Sequence, residues 1–351
     1  MLHFLVAYVL FLLLIELGIW QGRLRKKGSH PGSQPYFSVV IPFRDEEENL
    51  RITFAALLAQ HLSPDQFEVL WVNDNSSDGG AELLHTLIAG CKNQRLLHTS
   101  PTAPGKRRAL AVGLEAAKGD FIVFTDADSK PPANWLSKYY AGLQHNSSDI
   151  IAGPVEKYSK GLLGHLLAME SRLNNRLAES FCGFQSPLLV FGANWGVTSS
   201  HLDGEKTYAG LAKSISGDDD LLVQRLAASG LSISWFADNP VLTPGPADWQ
   251  AWLRQKRRHL SAGRHYNWVG RIFYAILHLF NLLLLCLVVI DLSFWPLLAG
   301  KMALDGLWLL SREKTKKILL YMSLLPIFEF YWLLTHWLLG IYTFFKPARR
   351  W

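Results

Sequence analysis

The sequence has little cysteine. Its three cysteines, Cys91, Cys182 and Cys286, lie far apart and show neither C-x-x-C nor Cys/His ligand spacing. That excludes a disulfide framework and a structural zinc site, and it fits a reducing compartment. Charged residues are also scarce, at 18% against 49% hydrophobic residues, too few for a typical soluble enzyme of 351 residues. Internal repeats and low-complexity tracts are missing as well. The net charge of +6 is not spread as a nucleic-acid surface would be, because Lys and Arg gather beside apolar segments. The clusters are Arg23, Arg25, Lys26 and Lys27, then Arg312, Lys314, Lys316 and Lys317, then Lys346, Arg349 and Arg350. Membrane flanks are placed this way, so a membrane is expected as a partner and nucleic acid is not.

Long apolar runs, by contrast, are present. Residues 1–20 form a nearly uncharged stretch about long enough to span a bilayer. Basic residues follow this run rather than precede it, so it reads as a retained transmembrane anchor, with the segment after Trp20 on the cytoplasmic side. Further apolar stretches occupy 272–290, 294–310 and 318–345, the C-terminal membrane part spanning 272–345. Lys301 and Asp305 interrupt the middle stretch, which leaves a re-entrant segment open, and Pro326 and Glu329 sit inside the last. Between 246 and 271 Trp, Arg, Lys and His interleave, as suits an amphipathic helix in the headgroup region.

Residues 36–245 read as one α/β domain. Short β-branched runs at 37–41, 67–72, 95–98, 121–125 and 149–152 alternate with helical patterns at 49–60, 79–88 and 106–117. That order predicts a mostly parallel sheet with helices on both faces and ligands at the carboxyl ends of the strands. The polar motifs fall at those ends. Asp126 and Asp128 follow FIVFT, and two carboxylates one residue apart at a strand end suit a hard divalent cation, Mg or Mn, sharing its shell with phosphate. Their simpler role is a solvated acidic turn. Glu46 and Asp74 stand where two other strands end, placed to meet a ribose or a nucleobase, though Asp74, Asn75 and Asp78 also suit helix capping. Lys106, after Gly105 and before Arg107 and Arg108, opens a helix where an anion can sit. In SGDDDLL, Asp218, Asp219 and Asp220 start another helix, and capping explains only one or two of them. A carboxylate there could act as general base toward a hydroxyl.

These motifs, in this order over about 37–263, resemble the family 2 glycosyltransferases with the GT-A nucleotide-sugar fold. The membrane-integrated branch that holds cellulose, chitin and hyaluronan synthases and ceramide glucosyltransferase is the most similar. The resemblance implies that VVIPFRDEEENL, with Pro42, Arg44 and Glu46, forms the first nucleotide-binding loop, and that Asp74 contacts the base. It implies that Asp126, Ala127 and Asp128 form the metal motif, that Asn194 and Trp195 of GANWGVTSS line the acceptor side, and that Gln255, Arg258 and His259 stand at the glutamine-x-x-arginine-tryptophan motif. Asp218 aligns with the catalytic base, with Asp219 its rival. Three positions depart from the family pattern: Asn73 replaces an aspartate, Gly217 a glutamate and His259 a tryptophan. The activity implied is inverting transfer from a nucleoside-diphosphate sugar, a UDP-sugar first among them, to a lipid or membrane-associated glycan. A processive polysaccharide synthase and a non-catalytic membrane scaffold are the alternatives. The expected setting is a cell membrane, the inner one in a bacterium, with the catalytic domain in the cytoplasm.

Overall fold

The computed structural model describes residues 2–25, 34–102, 105–146, 148–211, 218–312 and 317–345. Gly217 and the basic residues Lys26, Lys27, Lys314, Lys316, Lys346, Arg349 and Arg350 lie outside them. Helix α1 (Leu2–Leu24) leads into an alternating series: β1 (Phe37–Phe43), α2 (Glu47–Leu58), β2 (Phe67–Asn73), α3 (Gly80–Ile88), β3 (Gln94–His98), α4 (Lys106–Ala116), β4 (Phe121–Phe124), α5 (Trp135–Asn146) and β5 (Ile150–Ala152). Then come β6 (Val155–Tyr158), α6 (Gly161–Gly183), β7 (Trp195–Thr198), α7 (Asp218–Ala228), β8 (Ile233–Trp235) and β9 (Val241–Pro244). The chain ends in α8 (Trp249–Ala262), α9 (Trp268–Ile290), α10 (Trp295–Leu310), α11 (Ile318–Leu334), a π-helical turn (Thr335–Leu339) and α12 (Gly340–Phe345).

Seven strands form one sheet in the order β3-β2-β1-β4-β7-β5-β8. It is mostly parallel, as the alternation predicts, with β7 antiparallel to both neighbours. Every residue of β1 and β2 is buried, the mark of strands covered on both faces. Alternate side chains enter opposite cores: Phe37, Val39, Ile41 and Phe43 face one with α2, α3 and α5, whereas Val40 faces another with α4 and α7. β7 escaped the sequence reading because an antiparallel strand arriving from a long excursion leaves no β-α-β rhythm. β6 and β9 pair apart from the main sheet.

Three helical stretches are long and apolar enough to cross a membrane: His3–Leu24, Trp268–Ile290 and Ile318–Thr343. They expose large apolar side chains, Leu319 at 82% and Ile290 at 81%, which water would disfavour by about 25 cal/mol per Å². The 16-residue α10 is shorter. Its interrupting charges are paired inside the bundle: Lys301 is 2% exposed and bridges Asp305 at 2.6 Å and Glu329 at 2.7 Å, and Tyr8 donates to Asp305. Ionic groups among apolar helices persist when paired in this way. Helix α6 ties bundle to sheet. Gly18 and Gly22 of α1 lie against Gly183 of α6, where a Cβ on either side would meet the opposing backbone, so small residues allow the close approach.

Candidate active site

The carboxyl ends of β1, β2 and β4 and the start of α4 open onto one cavity of about 1240 Å³. Pro42, Arg44, Glu46, Asp74, Lys106, Asp126, Ala127 and Asp128 all line it. The two loops that begin this wall are locked together. Asp45 Oδ1 accepts from Ser77 N at 2.6 Å, Asp78 Oδ2 accepts from Glu47 N at 2.9 Å, and Glu47 Oε2 accepts from Gly79 N at 3.1 Å. Asp45 and Asn75 hold left-handed backbone at φ 55° and 56°, a conformation Asp and Asn tolerate better than most residues. Asp74 is buried, its Oδ1 accepting from Gly105 N at 2.8 Å and Thr99 Oγ1 at 3.2 Å, so it joins β2 to the loop before α4. Asn73, in place of the expected aspartate, turns away from the cavity wall toward Ser76 N and His98.

The Asp126–Asp128 loop hangs from Thr53, whose hydroxyl lies 2.6 Å from the carbonyl of Ala127 and 2.7 Å from that of Ser129. Lys106 Nζ donates to Asp126 Oδ1 at 2.8 Å. Burial lowers the ammonium pKa, but the charges of Asp126 and Asp219 outweigh it and hold Lys106 protonated. Asp128 is pushed up to about 7 by burial and then by the charges of Asp126 and Glu46, with Lys106 opposing. Burial also raises Glu46, which Asn49 partly offsets by hydrogen bonding. Three carboxylates thus crowd one corner, and the charge of Asp126 adds to the rise of both of the others. Among the described residues no cluster of three or more His, Cys, Asp or Glu side chains is arranged to hold a metal by itself. The pair Asp126 and Asp128 fits a hard divalent ion that takes its other ligands from phosphate.

The three acidic residues at the start of α7 divide their roles. Asp218 is held by the guanidinium of Arg107, at 2.7 Å from Nε and 2.6 Å from the terminal nitrogen. Asp220 accepts from Val190 N and from Tyr266 OH, both at 2.7 Å, which fastens α7 to its surroundings. Asp219 packs against Gly192 and faces Lys106. Burial raises its pKa to about 6, with Lys106 and the Trp195 indole lowering it and Asp126 and Asp218 raising it. Asp218 is thus engaged by Arg107, which the sequence set beside Lys106 but did not pair with Asp218, whereas Asp219, second in the resemblance, faces Lys106.

Asn194 and Trp195, expected on the acceptor side, do not line the cavity. Asn194 is fully buried: its Oδ1 accepts from Trp135 Nε1 at 2.8 Å and Tyr139 OH at 2.9 Å, and its Nδ2 donates to the Pro154 carbonyl at 2.7 Å. Trp195 stacks on Phe124 with ring centroids 4.4 Å apart. The adjacent Gly192 and Ala193 reach the cavity in their place. From α8, Gln255, Arg258 and His259 all line it. Burial lowers the pKa of Arg258, and burial with the charges of Lys157, Arg258, Lys256 and Lys106 holds His259 well below its ordinary range, neutral at pH 7. Lys157, Glu170 and Lys256 were missed by the sequence reading. Lys157 Nζ donates to Gln255 Oε1 at 3.2 Å, and Glu170 pairs with Lys256 and accepts from Tyr331 OH at 2.6 Å. The one visible signal was Glu170, a lone acid on the apolar face of α6.

A family model described as Glycosyl transferase family 2 matches residues 38–200, and one described as Glycosyl transferase family group 2 matches residues 121–345, well over half the chain. The probable glycosyltransferase YdaM of Bacillus subtilis is 27% identical over 233 residues, 64% of this chain and 54% of that protein. The glycosyltransferase AglE of Haloferax volcanii is 29% identical over 122 residues, 35% of this chain and 40% of its own length. The chain therefore spans about half the length, or less, of these curated relatives. The solved mannosyltransferase PcManGT of Pyrobaculum calidifontis, in complex with GDP-Man and Mn2+, superposes with a TM-score of 0.61 over 97% of both chains at 15% identity. At that identity the likeness is one of fold.

Proposed function

The chain belongs to the family 2 glycosyltransferases, and from that premise we propose that it is an inverting, membrane-integrated enzyme using a divalent cation. Its substrate class is a nucleotide sugar; a UDP-sugar is the first candidate, with GDP-sugars next because PcManGT is a GDP-mannose complex. The acceptor is a hydroxyl on a lipid or a membrane-associated glycan, and the catalytic domain faces the cytoplasm.

The observation that carries this reading is the meeting of Asp219 with Lys106 and Asp126 at the strand ends of one cavity. Glu46 and Asp74 stand at the nucleoside end. Asp126 and Asp128 would hold Mg2+ or Mn2+, which when bound neutralises charge on the diphosphate as a Lewis acid. Lys106 adds a fixed ammonium where negative charge grows on the leaving group, preorganised so that no solvent rearrangement is needed. Asp219 takes the proton of the acceptor hydroxyl as its oxygen attacks the anomeric carbon, and the nucleoside diphosphate departs from the opposite face. An acid with a pKa near 6 is ionised at neutral pH yet still basic enough to share a proton in the transition state. Asp218, clamped by Arg107, keeps the first turn of α7 in register.

The test incubates membranes containing the protein, and Mg2+ or Mn2+, with a panel of labelled UDP- and GDP-sugars, followed by extraction of lipids and glycans. Label in a product of one or a few sugars supports the proposal; a long polymer supports a synthase, and no incorporation from any donor sinks both.

A further inference from the structure

The cavity does not stop at the catalytic residues. It continues past α8 to Arg271, Tyr274 and His278 on α9 and to Trp332, His336 and Gly340 on the facing wall. The spacing on each helix, three and four residues on α9 and four and four on the other, keeps these side chains on one stripe. The imidazoles of His278 and His336 stack at 4.4 Å, and Trp332 lies 4.0 Å from His336. His336 Nδ1 is 2.9 Å from the Trp332 carbonyl, so that nitrogen donates and the ring edge is fixed. His336 lies in the π-helical turn Thr335–Leu339, a feature frequent at functional sites. Beside it is open space: a Cβ on Gly340 would meet nothing within 4 Å. Both walls belong to stretches long and apolar enough to cross a membrane.

Charge changes along this path. Between the catalytic residues and the slot, Lys157, Lys256, Arg258 and Arg271 line the cavity against one acid, Glu170. Lys256 and Lys157 together hold Glu170 down to about 2 despite its burial, so that acid is fully ionised and already shared. Burial and the neighbouring Lys256 charge push Lys157 down to about 8, opposed by Glu170 and Asp128, so at neutral pH it is still a cation, crowded by others.

Resting on the function proposed above, we propose that the acceptor is an anionic phospholipid with a free hydroxyl on its headgroup. Its phosphate sits among Lys157, Lys256 and Arg271, its hydroxyl reaches Asp219, and its acyl chains leave along the slot between α9 and the turn at His336. In the transfer the hydroxyl oxygen forms the new bond to the anomeric carbon, the bond from that carbon to the diphosphate breaks, and the hydroxyl proton passes to Asp219. A positive middle and an apolar, bilayer-facing end select this chemistry over a neutral lipid or a soluble glycan.

The experiment uses the purified full chain with phosphatidylcholine vesicles containing phosphatidylglycerol, phosphatidic acid or diacylglycerol, read by lipid retained on the protein and, separately, by labelled sugar transferred from the donor panel. Retention is expected to be about tenfold higher for phosphatidylglycerol than for diacylglycerol, with phosphatidic acid retained but not glycosylated. Lys157→Gln should reduce the preference for phosphatidylglycerol about tenfold. Gly340→Phe, at a position where an added Cβ meets no atom within 4 Å, should lower retention of every lipid at least tenfold with nucleotide binding unchanged. Equal retention of diacylglycerol and phosphatidylglycerol, or indifference to both substitutions, overturns the inference. Transfer of sugar to diacylglycerol instead overturns the lipid class and leaves the glycosyltransferase reading standing, whereas retention as expected with no transfer from any donor places the failure in that reading.

Discussion

The two ends of the cavity are opposites. At the donor end Asp45, Glu46, Asp74, Asp126 and Asp128 outnumber Arg44 and Lys106, and at the membrane end Lys157, Lys256, Arg258 and Arg271 outnumber Glu170. Several of these groups are paired in place, Lys106 with Asp126 and Lys256 with Glu170, and each end still lines the cavity with an excess of one sign. That excess is what the proposed partners would complement: a cation with phosphates at one end, an anion at the other. Asp219 lines the same cavity and feels the charges of Lys106 and Asp126.

The contrast is most strongly tested where the halves meet. Asp219→Asn should lower kcat by roughly 10²–10⁴-fold with donor affinity kept, and Asp218→Asn should cost less; steady-state kinetics beside nucleotide binding by calorimetry checks both, and the reverse ranking would return the base to Asp218. Next in size is the donor end. Chelation, or Asp128→Asn, should cost roughly 10²–10³-fold in turnover, the usual scale for an electrostatic group facing a developing charge. Added Mn2+ should rescue the chelated enzyme but not the variant, and calorimetry should show donor binding weakened in both.

Beneath the cavity, Asn194→Ala should act on stability rather than on donor binding. It leaves the groups of Trp135, Tyr139 and Pro154 without their partner, at roughly 1–3 kcal/mol for each group left unpaired. Thermal unfolding in detergent reads this, and an unchanged midpoint with lost acceptor use would restore Asn194 to the pocket. The smallest effect is on pH. Protonated Asp219 cannot take a proton, so kcat/KM should rise through about pH 6 and then level, falling about tenfold per unit below that. Burial raises that value most, and Lys106 from α4, Asp126 after β4, Asp218 beside it and Trp195 from β7 adjust it, so Lys106→Met should move the rising limb to higher pH.

Five of the seven strands of the main sheet were legible because their apolar β-branched runs are local, whereas β8, parallel to β5, and the antiparallel β7 were not. The run FSVVIPF forms a strand buried on both faces, and DAD follows FIVF after one threonine, so the carboxylates of Asp126 and Asp128 were placed by chain continuity alone. The acidic triplet of α7 was legible as a group but not in its division of labour. Arg107 meets Asp218 across 111 residues, and no local pattern carries that pairing. Asn194 misled for a related reason: its neighbours in sequence, Gly192 and Ala193, do line the cavity, and the alternation of β7 turns the next side chains into the core. Helix α6, absent from the sequence reading, supplies Glu170 and the surface against which α1 packs.

From the sequence alone followed the α/β order, the strand ends that bear the acidic motifs, the family resemblance and the apolar stretches, because periodicity, strand length and hydropathy are properties of neighbouring residues. Only the tertiary structure decided that Arg107 occupies Asp218 while Asp219 faces Lys106, that Asn194 is a structural tie, and that the cavity runs from the strand ends into the helical bundle with its charge reversed. Those outcomes depend on contacts between residues far apart in the chain, 40 positions for Asn194 with Pro154 and 111 for Arg107 with Asp218, and such contacts exist only once the sheet, α6 and the apolar helices have packed together.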